Sequence, residues 1–429
     1  MKEFFQLESR GTNVRTEVIA GVTTFLTMAY IVVVNPAILS AAGVPFDQVF
    51  MATIIAAVVG TLIMALFANY PIAIAPGMGM NAYFVTVVLN QGISYQTVFA
   101  AVFFAGILFL LLTFTPLRRT LIAVIPDTLK VGITVGIGLF VAFLGLRMSG
   151  IIVQNPETFV SFGDIREPVT LLSIIGLFIT LILVARNVKG ALFFGMLITA
   201  IIGYFASMLE INGVVSLPSM PVFWDLDIMG VFEQSLYTVI FAFLLVTIFD
   251  TTGTTIGVAE QAGLMKDGKL KNANAALQAD AISTTVGATF GTTPTTAYIE
   301  STSGVQAGGR TGLTTLVVAI LFIGTIFFTP IVETIAALPA ITAPTLIIVG
   351  SFMMAGLERV KWKQFDEAFP AFIVILSMPL TSSIATGIAL GFITYPLLKL
   401  FSGKGKEVHP LIYIFGIIFI LQFIFFPGH

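Results

Sequence analysis

Two carboxylates, Asp250 in LLVTIFDTTGTTIG and Glu300 in TTPTTAYIESTSG, lie inside apolar, Gly/Thr-rich stretches of a chain that is 57% hydrophobic and 10% charged. An acid in such surroundings is costly unless it faces a partner, a cavity or a pathway. Two of them, fifty residues apart, could together hold a polar solute and exchange a proton. Asp250 and Thr254 stand one helical turn apart and share a helix face, with Thr251, Thr252 and Thr255 around them. Glu300 follows Thr292-Thr293-Pro294-Thr295-Thr296-Ala297-Tyr298-Ile299, a run rich in β-branched residues. That run reads as an extended segment entering a short helix at about Ser301, which puts Glu300 where the helix dipole favours an anion. Plainer roles fit the same residues: Asp250 bonded to its hydroxyl neighbours, Glu300 as a helix cap. Asp280 is the third acid of this kind. It lies nearer a basic loop, and a structural role is expected for it.

A third segment belongs with these. Pro76-Gly77-Met78-Gly79 cannot continue a helix, because proline lacks a donor and glycine favours other conformations. A helix restarting near Met80-Asn81 would aim its free N–H groups at whatever occupies the break. Asn81 offers a donor and an acceptor suited to the edge of a heterocycle. It would serve equally as glue between helices around a simple kink.

The elements that position these residues must cross a membrane. With 429 residues, a mean hydropathy of +1.03 and 20 Lys+Arg, the chain could not solvate the surface of a soluble domain. Many spans of about 20 apolar residues can accommodate it. The net charge of −2 offers no basic stripe for nucleic acid. Cysteine is absent, and His409 and His429 are the only histidines. No cofactor or metal site is therefore expected, and neither a cysteine nucleophile nor a core Ser-His-Asp triad is available. The polar first 16 residues or so lack the apolar core of a cleavable signal, so the first span is expected to act as an uncleaved insertion signal.

Apolar runs between polar breaks give segments starting with 17–34, including 312–329, and ending with 411–427, the last a candidate extra span. With the N-terminus placed in the cytoplasm, all basic residues except Arg147 and Arg166 fall inside, eighteen of the 20. They include Arg118, Arg119, Lys271 and Lys399. This is a strong positive-inside signal, and it requires the short third and tenth spans each to cross once. A weak internal repeat relates IPDTLKVGITVG to TAPTLIIVGSF, each after a span ending near Thr-Pro (Thr115-Pro116, Thr329-Pro330). An odd number of spans separates the halves, so their topology is inverted. Paired broken spans in inverted halves point to the binding site of a secondary transporter. A channel and an intramembrane aspartyl enzyme are the rival classes; no hydrolytic motif surrounds the two acids.

The motifs APGMGMNAYF, FDTTGT, TAYIESTSGVQAGGRTGLTT and TMAYIVVVNPAIL resemble those of the AzgA-like adenine/guanine/hypoxanthine permeases, within the nucleobase–cation symporter-2 (xanthine/uracil permease) superfamily. The resemblance covers essentially the whole chain. It implies an all-α polytopic membrane protein of about fourteen spans in two inverted seven-span repeats, with short antiparallel strands in broken spans 3 and 10. A cytoplasmic N-terminus (1–16) would precede a core domain (17–114 and 209–329) and a gate domain (115–208 and 330–429). It further implies import of purine nucleobases by proton symport, by alternating access of core against gate in the cytoplasmic (inner) membrane; uracil/xanthine or another small solute is the alternative. Na+ coupling and a homodimer remain open. The implied substrate contacts are Asp250, Glu300, Thr254, Met78, Gly79, Asn81, Tyr298 and Ile299, with Glu300, or else Asp250, carrying the coupling proton. Three positions depart from family patterns: Thr254 stands where related uracil permeases have histidine, Ile299 where they have glycine, and Thr247 where many purine members have aspartate.

Overall fold

The protein is described from a computed structural model covering residues 2–115, 124–211, 213–266, 269–270 and 272–425. Pro116, Arg118, Arg119, Lys271 and His429, named above, lie outside the described residues.

The first half runs α1 (Val14–Met28), α2 (Ile31–Ser40), α3 (Phe46–Ile63), β1 (Ile74–Pro76), α4 (Met78–Gln91), α5 (Tyr95–Thr113), α6 (Asp127–Met148), a hairpin of β2 (Ile152–Asn155) and β3 (Phe159–Phe162), α7 (Pro168–Ala185) and α8 (Ala191–Phe205). The second half runs α9 (Ile228–Glu233), α10 (Tyr237–Gln261), a hairpin of β4 (Met265–Lys266) and β5 (Lys269–Leu270), α11 (Ala273–Phe290), β6 (Thr295–Ala297), α12 (Ser301–Gln306), α13 (Gly312–Thr325), α14 (Thr329–Ala336), α15 (Pro339–Met353), α16 (Phe365–Thr381), α17 (Ile384–Phe401) and α18 (Pro410–Phe425). Among the described residues, nine helical stretches are long and apolar enough to cross a membrane. The two broken segments and the helices α8, α11 and α16 complete the fourteen elements of the expected order. The C-terminal apolar run is a further helix, α18, packed on α17.

Local chemistry explains where several elements begin and bend. Asn13 caps α1 by accepting from the Thr16 N–H, and Ser94 caps α5 by accepting from the Thr97 N–H. The first span is longer than its hydropathy suggests, reaching from Val14 to Ser40. Between α1 and α2 the bonds tighten to Val32 N–H→Ala29 O and Val33 N–H→Tyr30 O, a 3₁₀-type turn that sets Tyr30 at the bend. The eleventh span also runs on. After a 3₁₀ turn at Ile326–Phe328 it continues as α14 to Ala336. Pro330 lies in the first turn of α14, where its missing N–H breaks no bond, so Thr329-Pro330 lies within this spanning element rather than at its end.

The helices pack in two sets. In one, α1 and α3 pack on α13, α11 lies between α3 and α5, and α10 lies on α5. In the other, α6 is gripped by α15 and α16, α7 packs on α8 and α15, and α16 packs on α17. Lys399, counted above among the basic residues of the inner side, is buried in this second set, 2.9 Å from Asp366 and 2.6 Å from Glu367. The sets meet along a seam that includes α4 against α6. β1 and β6 lie within the first set and pair antiparallel, Ile74 opposite Ala297, Ala75 opposite Thr296 and Pro76 opposite Thr295.

Candidate functional site

Each strand of the β1–β6 pair hands the chain to a helix whose first turn faces the same space. Gly77 precedes α4 with extended backbone and Glu300 is the N-cap of α12. Three bonds lock the two breaks together: Gly77 N–H to Pro294 O at 2.9 Å, Tyr298 N–H to Ala73 O at 2.9 Å, and the Tyr298 hydroxyl to Pro76 O at 2.6 Å. Interrupted backbone is tolerated inside a membrane bundle only where such partners, or a cavity, satisfy it.

The cavity at this point has a volume of about 100 Å³. Asp250, Thr254, Met78, Gly79, Tyr298, Ile299 and Glu300 all line it. The second helix set closes the opposite wall with Ile137, Val349 and Met353. Asp250 is half-buried, with the Thr296 hydroxyl as its hydrogen-bond partner. Glu300 is half-buried, and its Oε1 accepts from the Tyr30 hydroxyl at 2.5 Å. Each acid thus has a neutral donor on one side and open space on another. Among the described residues no cation pairs with either, and Lys399, the buried lysine of the second set, is bonded to Asp366 and Glu367 instead.

Asn81 stands apart from the other expected contacts. It is fully buried, and its Oδ1 accepts from the Thr293 hydroxyl, so it ties α4 to the entry of β6 and does not line the cavity. This is the inter-segment glue weighed above. Thr247 is also turned away, donating at 2.7 Å to Phe243 O of its own helix. Asp280 is fully buried behind the site. It accepts from the Thr251 hydroxyl and, at 2.7 Å, from Thr295, joining α10, α11 and β6 as a structural acid does. Two contacts escaped the sequence reading. Thr296 was one threonine among many, and Tyr30 sits far from Glu300 in sequence, in the TMAYIVVVNPAIL run noted above only for its resemblance. The polar hydroxyl in the MAYIVVV run was the available signal.

A bundle of apolar helices with two broken segments paired at a small acid-lined cavity defines a multi-pass membrane transport protein. Residues 15–390 match the profile of the xanthine/uracil permeases, described as the Permease family, and the chain belongs to this family. It is 56% identical over 432 residues to the guanine/hypoxanthine permease PbuO of Bacillus subtilis (strain 168), covering 97% of this chain and 99% of the relative. It is 45% identical over 433 residues to the adenine permease AdeP of Escherichia coli (strain K12), covering 100% of this chain and 97% of the relative. Among solved structures, the transmembrane domain of the cyanobacterial bicarbonate transporter BicA superposes with a TM-score of 0.67 at 19% identity, covering 87% of this chain and 97% of that one. That likeness defines the fold alone. These relatives are transporters rather than enzymes.

Proposed function

We propose that the protein imports purine nucleobases by proton symport across the cytoplasmic membrane, with its N-terminus inside. The observation that carries this reading is that Asp250 and Glu300 face one cavity from one helix set, opposite apolar residues of the other. Carboxylate oxygens accept from N–H groups, and a purine presents ring N–H donors along its edge. Glu300, at the head of a half-helix and held by Tyr30, is the better placed to exchange the coupling proton. Charging a desolvated carboxyl is costly, so proton loading and substrate binding become linked. Met78, Gly79 and Tyr298 supply backbone to the base edge, while Ile137 and Met353 cover its face. Thr254 and Ile299 complete the contacts. Asn81 acts one layer behind, through Thr293.

Alternating access follows from movement of the first helix set, as core (17–114 and 209–329), against the second, as gate (115–208 and 330–429). The names of the relatives, guanine/hypoxanthine and adenine permeases, support a purine rather than a pyrimidine. The test is uptake of radiolabelled adenine, guanine, hypoxanthine, xanthine and uracil into cells lacking their own carriers, with and without a protonophore, beside a Glu300→Gln variant. Purine uptake that collapses with the protonophore is expected. Uptake that instead follows a Na+ gradient, or full proton-driven uptake by Glu300→Gln, overturns the coupling assignment.

A further inference from the structure

A second cavity, of about 310 Å³, lies along the same seam between the helix sets, at the far ends of α4 and α6. Its walls repeat at helical spacing. Ala82, Val85, Thr86, Leu89 and Asn90 come from one face of α4, and Phe140, Phe143, Leu144 and Arg147 from one face of α6. The same two helices reach the acid-lined cavity through Met78 and Gly79 on one side and Ile137 on the other. Between the cavities the helices touch. A Cβ on Gly79 would lie 2.2 Å from Ile137 Cγ2, so there is no room there for a solute. The seam is shut at that layer and opens beyond it. Under the orientation given by the basic residues, the larger cavity is on the outer side, where only Arg147 and Arg166 among the cations fall.

Arg147 is the cation of this cavity. Its guanidinium lies 5.9 Å from the centre of the Phe143 ring, and it forms none of the salt bridges found among the described residues. Its planar donor fork therefore remains available. A guanidinium matches the adjacent O6 and N7 acceptors of a 6-oxopurine, whereas adenine offers a donor at the 6-position. Phe140 and Phe143 supply ring faces beside it. The chemistry is complementary to that of the inner site, where carboxylates face ring N–H groups.

We propose that this outer cavity is an arrival subsite for 6-oxopurines, in which Arg147 reads the O6/N7 edge before the base passes the Gly79–Ile137 layer. The proposal rests on the purine reading above and adds a second site and a preference for oxo over amino bases.

The chain has no cysteine, so one introduced thiol reports on one place. Thr86→Cys puts that thiol in the outer cavity, and an Asp250→Asn background weakens the inner site. A membrane-impermeant methanethiosulfonate reagent is applied from outside with guanine, hypoxanthine or adenine present. The expected result is that guanine and hypoxanthine slow modification about fivefold, adenine much less, and that Arg147→Ala abolishes the protection. With the inner site intact, Arg147→Ala should also lower kcat/KM for external guanine several-fold more than for adenine. No protection by any base, or protection that survives Arg147→Ala, overturns the subsite while leaving the purine reading in place. If the unmodified protein takes up no purine at all, the purine reading and the subsite fall together.

Discussion

Tyr30→Phe removes one oxygen from the site and little else. Tyr30 is 1% exposed and phenylalanine keeps its ring, so packing is preserved. What disappears is the donor 2.5 Å from Glu300 Oε1. With Oε1 held by Tyr30, the other carboxylate oxygen is left to meet the substrate, so this bond orients the acid. A hydrogen bond to a charged group contributes about 1.5–3 kcal/mol. The bond exists before the substrate arrives, so only its orienting effect on Glu300 reaches binding; at about 1.4 kcal/mol per decade its loss should weaken purine binding by up to about a hundredfold. The assay is equilibrium binding of labelled guanine to purified protein, run as a cycle with Glu300→Gln, because transport by the Gln variant is expected to be too low to measure. A neutral amide oxygen accepts more weakly than a carboxylate, so Tyr30→Phe should cost about 1 kcal/mol less in the Glu300→Gln background. Equal costs in both backgrounds, within about 0.3 kcal/mol, would refute the claim that Tyr30 acts through Glu300. A Tyr30→Phe protein that binds like the parent would refute the claim that the bond matters at all.

Three further outcomes follow from the geometry. Asp280→Ala leaves the buried hydroxyls of Thr251 and Thr295 without their carboxylate; a loss of about 2–5 kcal/mol is expected, read as a lower melting temperature in detergent, and an unchanged melting temperature with abolished transport would instead put Asp280 on the proton's path. Glu17 is fully buried and accepts from the N–H groups of Arg310 at 2.9 Å, Thr311 at 3.3 Å and Thr314 at 3.2 Å, so Glu17→Ala strips the start of α13 of its acceptor. It should reduce the folded yield, with Glu17→Gln recovering part of it; equal yields for Ala and Gln would show that the acceptor is unimportant. Gly79→Ala drives a Cβ against Ile137 Cγ2 and should slow transport several-fold with little change in melting temperature, because it wedges the seam between two intact helix sets. Ile137→Ala should relieve it, and a Gly79→Ala protein that transports normally would show that the layer is not a barrier.

The acids were legible in the sequence because a carboxylate among apolar residues is conspicuous, and the breaks because Pro76-Gly77 and the threonine run before Glu300 cannot form ordinary helix. The pairing of strands in spans 3 and 10 came from the family resemblance. Facing was harder to read. Asn81 lies only a few residues beyond Gly79, yet once α4 begins at Met78 rather than at Met80 its side chain points to Thr293. A shift of two residues along a helix turns a side chain by roughly 200°, so an uncertain start leaves the face undecided. Partners distant in sequence, such as Tyr30 for Glu300, leave no periodic trace. The hairpin β2–β3 went unread although Ile152-Val153 and Phe159-Val160 flank an Asn-Pro turn, because four-residue apolar stretches do not stand out in so apolar a chain; β4–β5 has two residues per strand, too few to show a period.

The fold by itself leaves the charge of the solute open, since a bicarbonate transporter shares it at a TM-score of 0.67. The partners of the acids decide more. A carboxylate can accept about four hydrogen bonds. Asp280 has both oxygens engaged by hydroxyls and is fully buried, which makes it part of the scaffold. Glu300 is held at one oxygen by Tyr30, Asp250 has Thr296 beside it, and both border the cavity. An anion entering between two such acids would meet repulsion strengthened by the low local dielectric, whereas a neutral ring bearing N–H groups would fill the open acceptor positions. Unsaturated acceptors facing space, with saturated ones behind them, are what separates the two acids proposed to meet a solute from the acid that holds the strands in place.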